Sequence, residues 1–318
     1  MTQDLAIELS AVVVTVRDNE ACVLCLNLAD KNLPDKDGPA YALPSGPFAP
    51  RAHRTFDLAL RAFVREQTGF KIGYVEQLYS FGDADREAVL PGLKAERIVS
   101  IGYLALTSDS DFQARINAAW TPFQRFFPWE DWRCERNPAL EALRGPLLRW
   151  CDSAAAPDEA SLRRRRVDSL FPHDLDDWNE ERVLDRYELL YAAGLIGEAR
   201  RGPDDALPAY GGEPMASDHR RILATGLSRL RGKLKYRPII FELTPPRFTL
   251  LELQKSLEAL SGLRLHKQNF RRGLERTGFL APTGQMRDDT GGRPAELYAY
   301  DRDRFRISPS SGLSLPRA

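Results

Sequence analysis

Residues able to do chemistry cluster near the C-terminus, in Lys267-Gln268-Asn269-Phe270-Arg271-Arg272-Gly273-Leu274-Glu275-Arg276. Phe270 and Leu274, four apart, form one apolar edge of a helix and could seat it on a domain. The rest of the surface presents Lys267, Gln268, Asn269, Arg271, Arg272 and Arg276. Arginine and lysine suit phosphate and guanine, while asparagine and glutamine suit adenine. A solvated surface helix can have the same make-up, so the neighbouring elements must decide. A second group, Arg51, His53 and Arg54 with Glu66 further on, could hold an anion. Asp83 and Arg86, in Phe81-Gly82-Asp83-Ala84-Asp85-Arg86, are candidates for the mouth of the same pocket.

The elements around the first group have a definite order. Thr249 caps a helix Leu250 to Leu260 with Leu253, Leu257 and Leu260 inward, and Ser261-Gly262 breaks it. Lys267 to Thr277 is a second helix, closed by Gly278. A strand Phe279 to Pro282, a turn-rich tip Thr283 to Pro294 and a strand Ala295 to Tyr300 form a hairpin. Helix, tight break, helix, hairpin is the order of a winged helix-turn-helix. Arg287 and Arg293 sit at the hairpin tip, where they could reach the DNA backbone or minor groove.

The elements around the second group predict an α/β domain of about 150 residues. Leu5 to Val16 and Ala21 to Leu28 read as a hairpin, Thr55 to Thr68 as a helix closed by Gly69, and Lys71 to Leu78 and Ile98 to Leu106 as strands. Trp120 to Trp132 reads as a loop packed on the core, and Pro138 to Trp150 as a helix. Residues 151–161 read as a linker, Trp178 to Ala199 as a helix, and Ser217 as the cap of a long helix to about Tyr236. The division expected is 1–150, an α/β ligand-sensing domain; 151–214, a linker with a helical segment; and 215–318, a connecting helix and the winged helix. The long helix carries Arg220, Arg221, Arg229, Arg231, Lys233 and Lys235, for phosphate contacts or for joining the domains and dimerising. The run Arg163-Arg164-Arg165-Arg166 lies in acidic surroundings, where such runs are usually solvated or paired.

Composition narrows the classes. The 318 residues have zero formal net charge, unevenly placed: residues 1–205 carry 25 Lys/Arg against 34 Asp/Glu, and residues 206–318 carry 20 against 11. One end is therefore suited to a polyanion. No apolar run is long enough for a membrane span, and Met1 to Ser10 lacks a basic cap ahead of an apolar stretch, so the expectation is a cytoplasmic protein. Cys22 and Cys25 lie three apart on a strand and face opposite ways; with Cys134 and Cys151 they form no metal pattern, and no metal site is expected.

Leu43-Pro44-Ser45-Gly46 followed by Arg61 to Phe70 resembles a worn Nudix box. The intact box holds divalent metal on several carboxylates to hydrolyse a pyrophosphate. Counting back from Gly69, Glu66 matches the first of its Glu-Glu pair and Gln67 replaces the second. Ala62 and Phe63 stand where an Arg-Glu pair belongs, and the upstream glutamate falls on Arg54. One carboxylate of four does not organise such a cluster, so no catalytic residues are expected.

The chain also resembles the Nudix-related transcriptional regulators of NAD metabolism, and more closely the alphaproteobacterial NAD regulator branch. The residues that carry this are Asp218-His219, Arg229-Leu230-Arg231-Gly232-Lys233-Leu234-Lys235-Tyr236-Arg237-Pro238, Phe248-Thr249-Leu250-Leu251-Glu252-Leu253-Gln254, Asn269-Phe270-Arg271-Arg272 and Gly291-Gly292-Arg293-Pro294-Ala295. Tyr79 to Asp83 with Arg86, and Ser100 to Leu106, add to it. The resemblance implies a homodimeric repressor on palindromic operator DNA near NAD-synthesis genes. Its effector would be ADP-ribose, ATP or NAD, with no cofactor required. The alternatives are a residual Nudix hydrolase with a nucleic-acid-binding domain, and a module whose winged helix docks a protein. An exposed face as cationic as Lys267 to Arg272 disfavours the last.

Overall fold

The computed structural model describes residues 5–28, 39–83, 97–108, 117–199, 209–288 and 294–301. Two long strands start the chain, β1 (Leu5–Arg17) and β2 (Glu20–Asn27). They pair antiparallel through a two-residue turn in which Asp18 and Asn19 take positive φ. Such a turn matches the twist of a hairpin, and Asp and Asn tolerate it best after glycine. Two short strands, β3 (Tyr41–Ala42) and β4 (Ser45–Pro47), precede α1 (Phe56–Thr68). Then come β5 (Tyr74–Phe81), β6 (Arg97–Leu106) and β7 (Ala118–Pro122). The sheet runs β3-β2-β1-β6-β5, with β4 also on β1 and β7 also on β2. The pair β1–β6 is parallel, from Leu5 opposite Arg97 to Val14 opposite Leu106.

Both faces of β1 are buried, and alternate residues feed two cores. Leu9, Ala11 and Val13 meet Leu60 and Val64 of α1. Val12 and Val14 face the other way, onto Ile222, Leu223 and Leu227 of α5 (His219–Tyr236). Gly226 sets that approach, since a Cβ there would lie 3.0 Å from Val12. The long helix expected to connect the domains is thus the second cover of the sheet. Its start also differs: Asp218 is the N-cap, and Ser217 has φ 51°.

Between β7 and α5 the aromatic stretch is a strand followed by two short turns, Phe123–Arg125 and Pro128–Glu130, with Phe126, Phe127 and Trp129 fully buried. Helices α2 (Pro138–Asp152), α3 (Pro157–Leu170) and α4 (Val183–Ala192) follow. The expected linker at 151–161 is therefore the end of one helix and the start of another. The helix expected from Trp178 to Ala199 is shorter. Val167, Leu170, Trp178, Tyr187 and Leu190 lie in the same core as α5, so this segment is packed on the body.

The C-terminal part is α6 (Leu250–Ser261), α7 (Lys267–Thr277), β8 (Leu280–Arg287) and β9 (Ala295–Tyr300). β8 runs further than expected, past a break in register and Gly284 at φ 71°. Phe248 adds a third rung, exchanging backbone hydrogen bonds of 3.0 and 2.8 Å with Tyr298. Among the described residues, no helix is long and apolar enough to cross a membrane.

Candidate nucleic-acid interface and ligand pocket

Helix α6 starts with a reciprocal cap: Thr249 accepts from the Glu252 N–H, and Glu252 accepts from the Thr249 N–H. Gly262, at φ 71°, ends it. His266 caps α7 by accepting from the Asn269 N–H. Phe270 and Leu274 are the buried residues of α7. Lys267, Gln268, Arg271, Arg272 and Arg276 are exposed and Asn269 is half-buried. Arg272 donates to the Asn269 side chain at 2.6 Å, and Arg276 to the Arg272 carbonyl at 3.3 Å. Of the polar groups expected of a reading helix, all but Asn269 are thus exposed.

One member of the expected set is placed otherwise. Arg287 lies at the end of β8 and pairs with Glu252 of α6, so it braces the wing against the first helix. Arg293 lies outside the described residues. Sequence reasoning missed Arg264, which is exposed beside the start of α7, and Arg247, which donates to Gln285 in β8 at 2.7 Å. Their signal was only position, next to a helix cap and next to a strand.

The cations of α5 are drawn inward. Arg220 is fully buried against Glu198, and Arg231 against Glu130. Arg221 pairs with Glu188 and with Asp83, the latter at 2.6 Å. Arg229 and Lys233 reach Glu76, and Lys235 reaches Glu180 and Glu181. Phosphate contact by this helix is therefore corrected to internal pairing, since each cation already has a carboxylate of the body beside it.

In the α/β domain, the positions where the sequence resemblance expects carboxylates have other work. Gln67 clasps the loop before α1, accepting from the Ser45 N–H at 3.1 Å and donating to its carbonyl at 2.5 Å. The Phe63 ring lies on Gly46, where a Cβ would come within 2.7 Å of it. His53 stands edge-on to Phe63 at 5.2 Å, and Phe48 packs on Phe56 at 4.5 Å. An aromatic cluster fills the turn, and these residues do not fit a divalent metal. Among the described residues no group of three or more His, Cys, Asp or Glu is placed to hold one.

The expected ligand residues are spread out. Arg51 and Arg54 are exposed before α1, and Glu66 is exposed on its last turn. Arg54 precedes the helix, and from its first residue, Phe56, to Glu66 the axis runs about 15 Å, at ~1.5 Å per residue. Asp83 is tied to Arg221 of α5, the helix on the opposite face of the sheet from α1. Arg86 lies outside the described residues. A ligand touching this whole set must be elongated.

Residues 240–300 match the family model of the NrtR DNA-binding winged helix domain. The C-terminal domain is thus similar to the NrtR winged helix domain. A curated relative, the ADPR responsive transcriptional repressor NtrR of Acinetobacter baylyi, is 35% identical over 103 residues, which is 32% of this chain. The match spans 41% of that relative's length. Among solved structures, Shewanella oneidensis NrtR complexed with a 27mer DNA covers 96% of this chain and 97% of its own, at 20% identity and a TM-score of 0.54. A MutT/nudix family protein from Enterococcus faecalis covers 95% and 88%, at 15% identity and a TM-score of 0.52. The fold is thus a Nudix-like α/β domain joined to a winged helix.

The winged helix meets the body at a joint beside Trp132 as well as through the shared apolar core. The Trp132 N–H donates to the Gly262 carbonyl at 2.6 Å, and Trp132 bridges Leu263. Beneath it, Glu130 accepts from Arg186 of α4 and Arg231 of α5, each at 2.5 Å, and all three are buried. Arg231 also donates to the Leu260 carbonyl at the end of α6, at 2.9 Å. Burial pulls the Arg231 guanidinium below its ordinary pKa, against the opposing pull of Glu130.

Proposed function

We propose that this protein is a ligand-controlled transcriptional repressor of NAD-synthesis genes, with the winged helix on operator DNA and the α/β domain sensing an adenine nucleotide. The observation that carries the reading is α7. Its one apolar seam is buried and its exposed face offers Lys267, Gln268, Arg271, Arg272 and Arg276, in a domain that matches a DNA-binding family. The relatives support it: one is named as ADPR responsive and a repressor, and the other was solved on DNA. Among adenine nucleotides, ADP-ribose is the effector this favours, ahead of ATP and NAD. Lys267, Gln268, Asn269, Arg271, Arg272 and Arg276 are the proposed contacts to DNA, and Arg51, Arg54 and Glu66 the proposed contacts to the nucleotide.

The α/β domain binds its nucleotide without hydrolysing it. Phe63 and Gln67 support this, because one packs and the other clasps a loop where a hydrolase needs carboxylates. Two copies acting on a palindrome would set the spacing of two α7 helices, and a ligand favouring one arrangement would change operator affinity.

Arg272→Ala tests the carrying observation. On a labelled duplex that the protein selects from a randomised library, it is expected to weaken binding by about 1–3 kcal/mol while leaving the unfolding midpoint unchanged. Equal affinity of variant and wild type would remove α7 from the interface.

A further inference from the structure

Four consecutive arginines on α3 divide into two pairs. Arg163 binds Glu159 at 2.6 Å, donates to the Trp150 carbonyl at 2.7 Å and lies over the Trp150 ring. Arg164 pairs with Asp152. Those two fasten α3 to α2. Arg165 and Arg166 are exposed and make no ion pair or hydrogen bond among the described residues. They line a concave pocket of about 190 Å³ with Ser169, Arg182 and Asp185. Arg182 enters from beyond the next turn, held by Asp185 at 2.9 Å and donating to the Ser169 hydroxyl at 2.8 Å. Three guanidiniums therefore face one carboxylate, and Asp168 is not among the lining residues. Convergent guanidiniums beside a hydroxyl suit the several oxygens of a phosphate group.

The place of this pocket selects the source of the phosphate. Three residues beyond Leu170 the chain enters a larger cleft of about 1270 Å³. His173, Asp174 and Leu175 line it together with Arg264, Lys267 and Gln268, and Glu135 and Glu258 also border it. The α3–α4 segment therefore flanks the N-terminal end of α7. A recognition helix points that end at the base edges, so the strand bordering the groove must pass its flank. Arg264 is exposed there and unpaired among the described residues.

We propose that Arg165, Arg166 and Arg182 bind a backbone phosphate of DNA outside the base pairs read by α7, so that the segment at 157–185 lengthens the footprint. This rests on the reading of α7 as the DNA-binding helix. Phosphate contacts add affinity without sequence preference and release counterions, which makes them visible in the salt dependence.

The test compares wild type with the double variant Arg165→Ala/Arg166→Ala, using a labelled duplex selected by the protein from a randomised library. The duplex is made in a short form and in a form extended by one helical turn at each end. Wild type is expected to bind the long form more tightly. The double variant is expected to lose that advantage, and its log–log salt slope on the long form to fall by about 1 per protomer. Both side chains are exposed, so the unfolding midpoint should not move, and Arg165→Lys/Arg166→Lys should retain most of the slope. A double variant indistinguishable from wild type on the long duplex overturns this inference alone. So does a loss of response to ADP-ribose with an unchanged slope, which would mark the pocket as serving a free phosphate ligand. Failure of wild type to bind either duplex, or indifference to Arg272→Ala, overturns the reading of α7 and this inference with it.

Discussion

Gly262 joins three constraints at one residue. It needs a positive φ to end α6, its carbonyl accepts from Trp132, and a Cβ there would collide with the Glu130 carbonyl. Gly262→Ala is expected to destabilise the protein by about 2–5 kcal/mol, combining left-handed backbone strain with overpacking. Urea unfolding with an unchanged midpoint would contradict this. The cysteines give a second prediction at this scale. Burial pushes the Cys22 and Cys25 thiols up to about 12, and raises Cys151 as well, while Cys134 is exposed. Near neutral pH an alkylating reagent should modify Cys134 alone in the native protein, and all four once it is unfolded. Rapid modification of Cys25 in the folded state would show that the sheet opens there. The residue roles legible in the sequence were those set by local rules, such as Thr55 and Gly69 bounding α1 and Asp18-Asn19 in the first hairpin.

Among elements, α5 is held by charge on one side and by apolar packing on the other. Burial works against the Glu76 carboxylate, but hydrogen bonds from Lys233 and Tyr74 outweigh it and hold its pKa below the ordinary value. A depressed folded pKa gives stability that is present above the ordinary carboxylate range and lost as the pH falls through the folded value. Glu76→Gln should therefore lower the unfolding midpoint at neutral pH, with the difference from wild type shrinking in acid. A difference independent of pH would assign the effect to packing. The joint at Glu130 is more consequential. Removing its charge leaves Arg186 and Arg231 buried without their counterion, so Glu130→Gln should cost about 3–5 kcal/mol by urea unfolding. None of this was readable in the chain, because the partners of Glu130 lie 56 and 101 positions away. The start of α3 had a readable signal, Pro157 followed by Asp158 and Glu159, hidden by the Ala- and Ser-rich stretch before it. The strand β7 lacks alternation, since Trp120 and its neighbours sit on an edge with both faces partly covered.

At the scale of the whole molecule, one apolar core runs from the sheet through α2, α4 and α5 to α6 and α7. The basic surplus of residues 206–318 is reduced where α5 pairs with the acidic body, while Lys267, Arg271, Arg272 and Arg276 of α7 stay exposed. That continuity gives a physical route from a ligand on the α/β domain to the angle of the recognition helix, through the joint of Trp132, Glu130 and Gly262. The order of elements in the winged helix was legible in advance. The role of α5 as a cover of the sheet was not, because an amphipathic stripe does not say which surface it meets. The measurement that tests the central claim is fluorescence anisotropy of a labelled promoter fragment from the host's NAD-synthesis genes, titrated with protein alone and with ADP-ribose, ATP or NAD. The account predicts salt-sensitive binding tighter than to random DNA, with an affinity altered by one of these nucleotides, ADP-ribose first. Binding no tighter than to random DNA, or an affinity that none of the three changes, would contradict it.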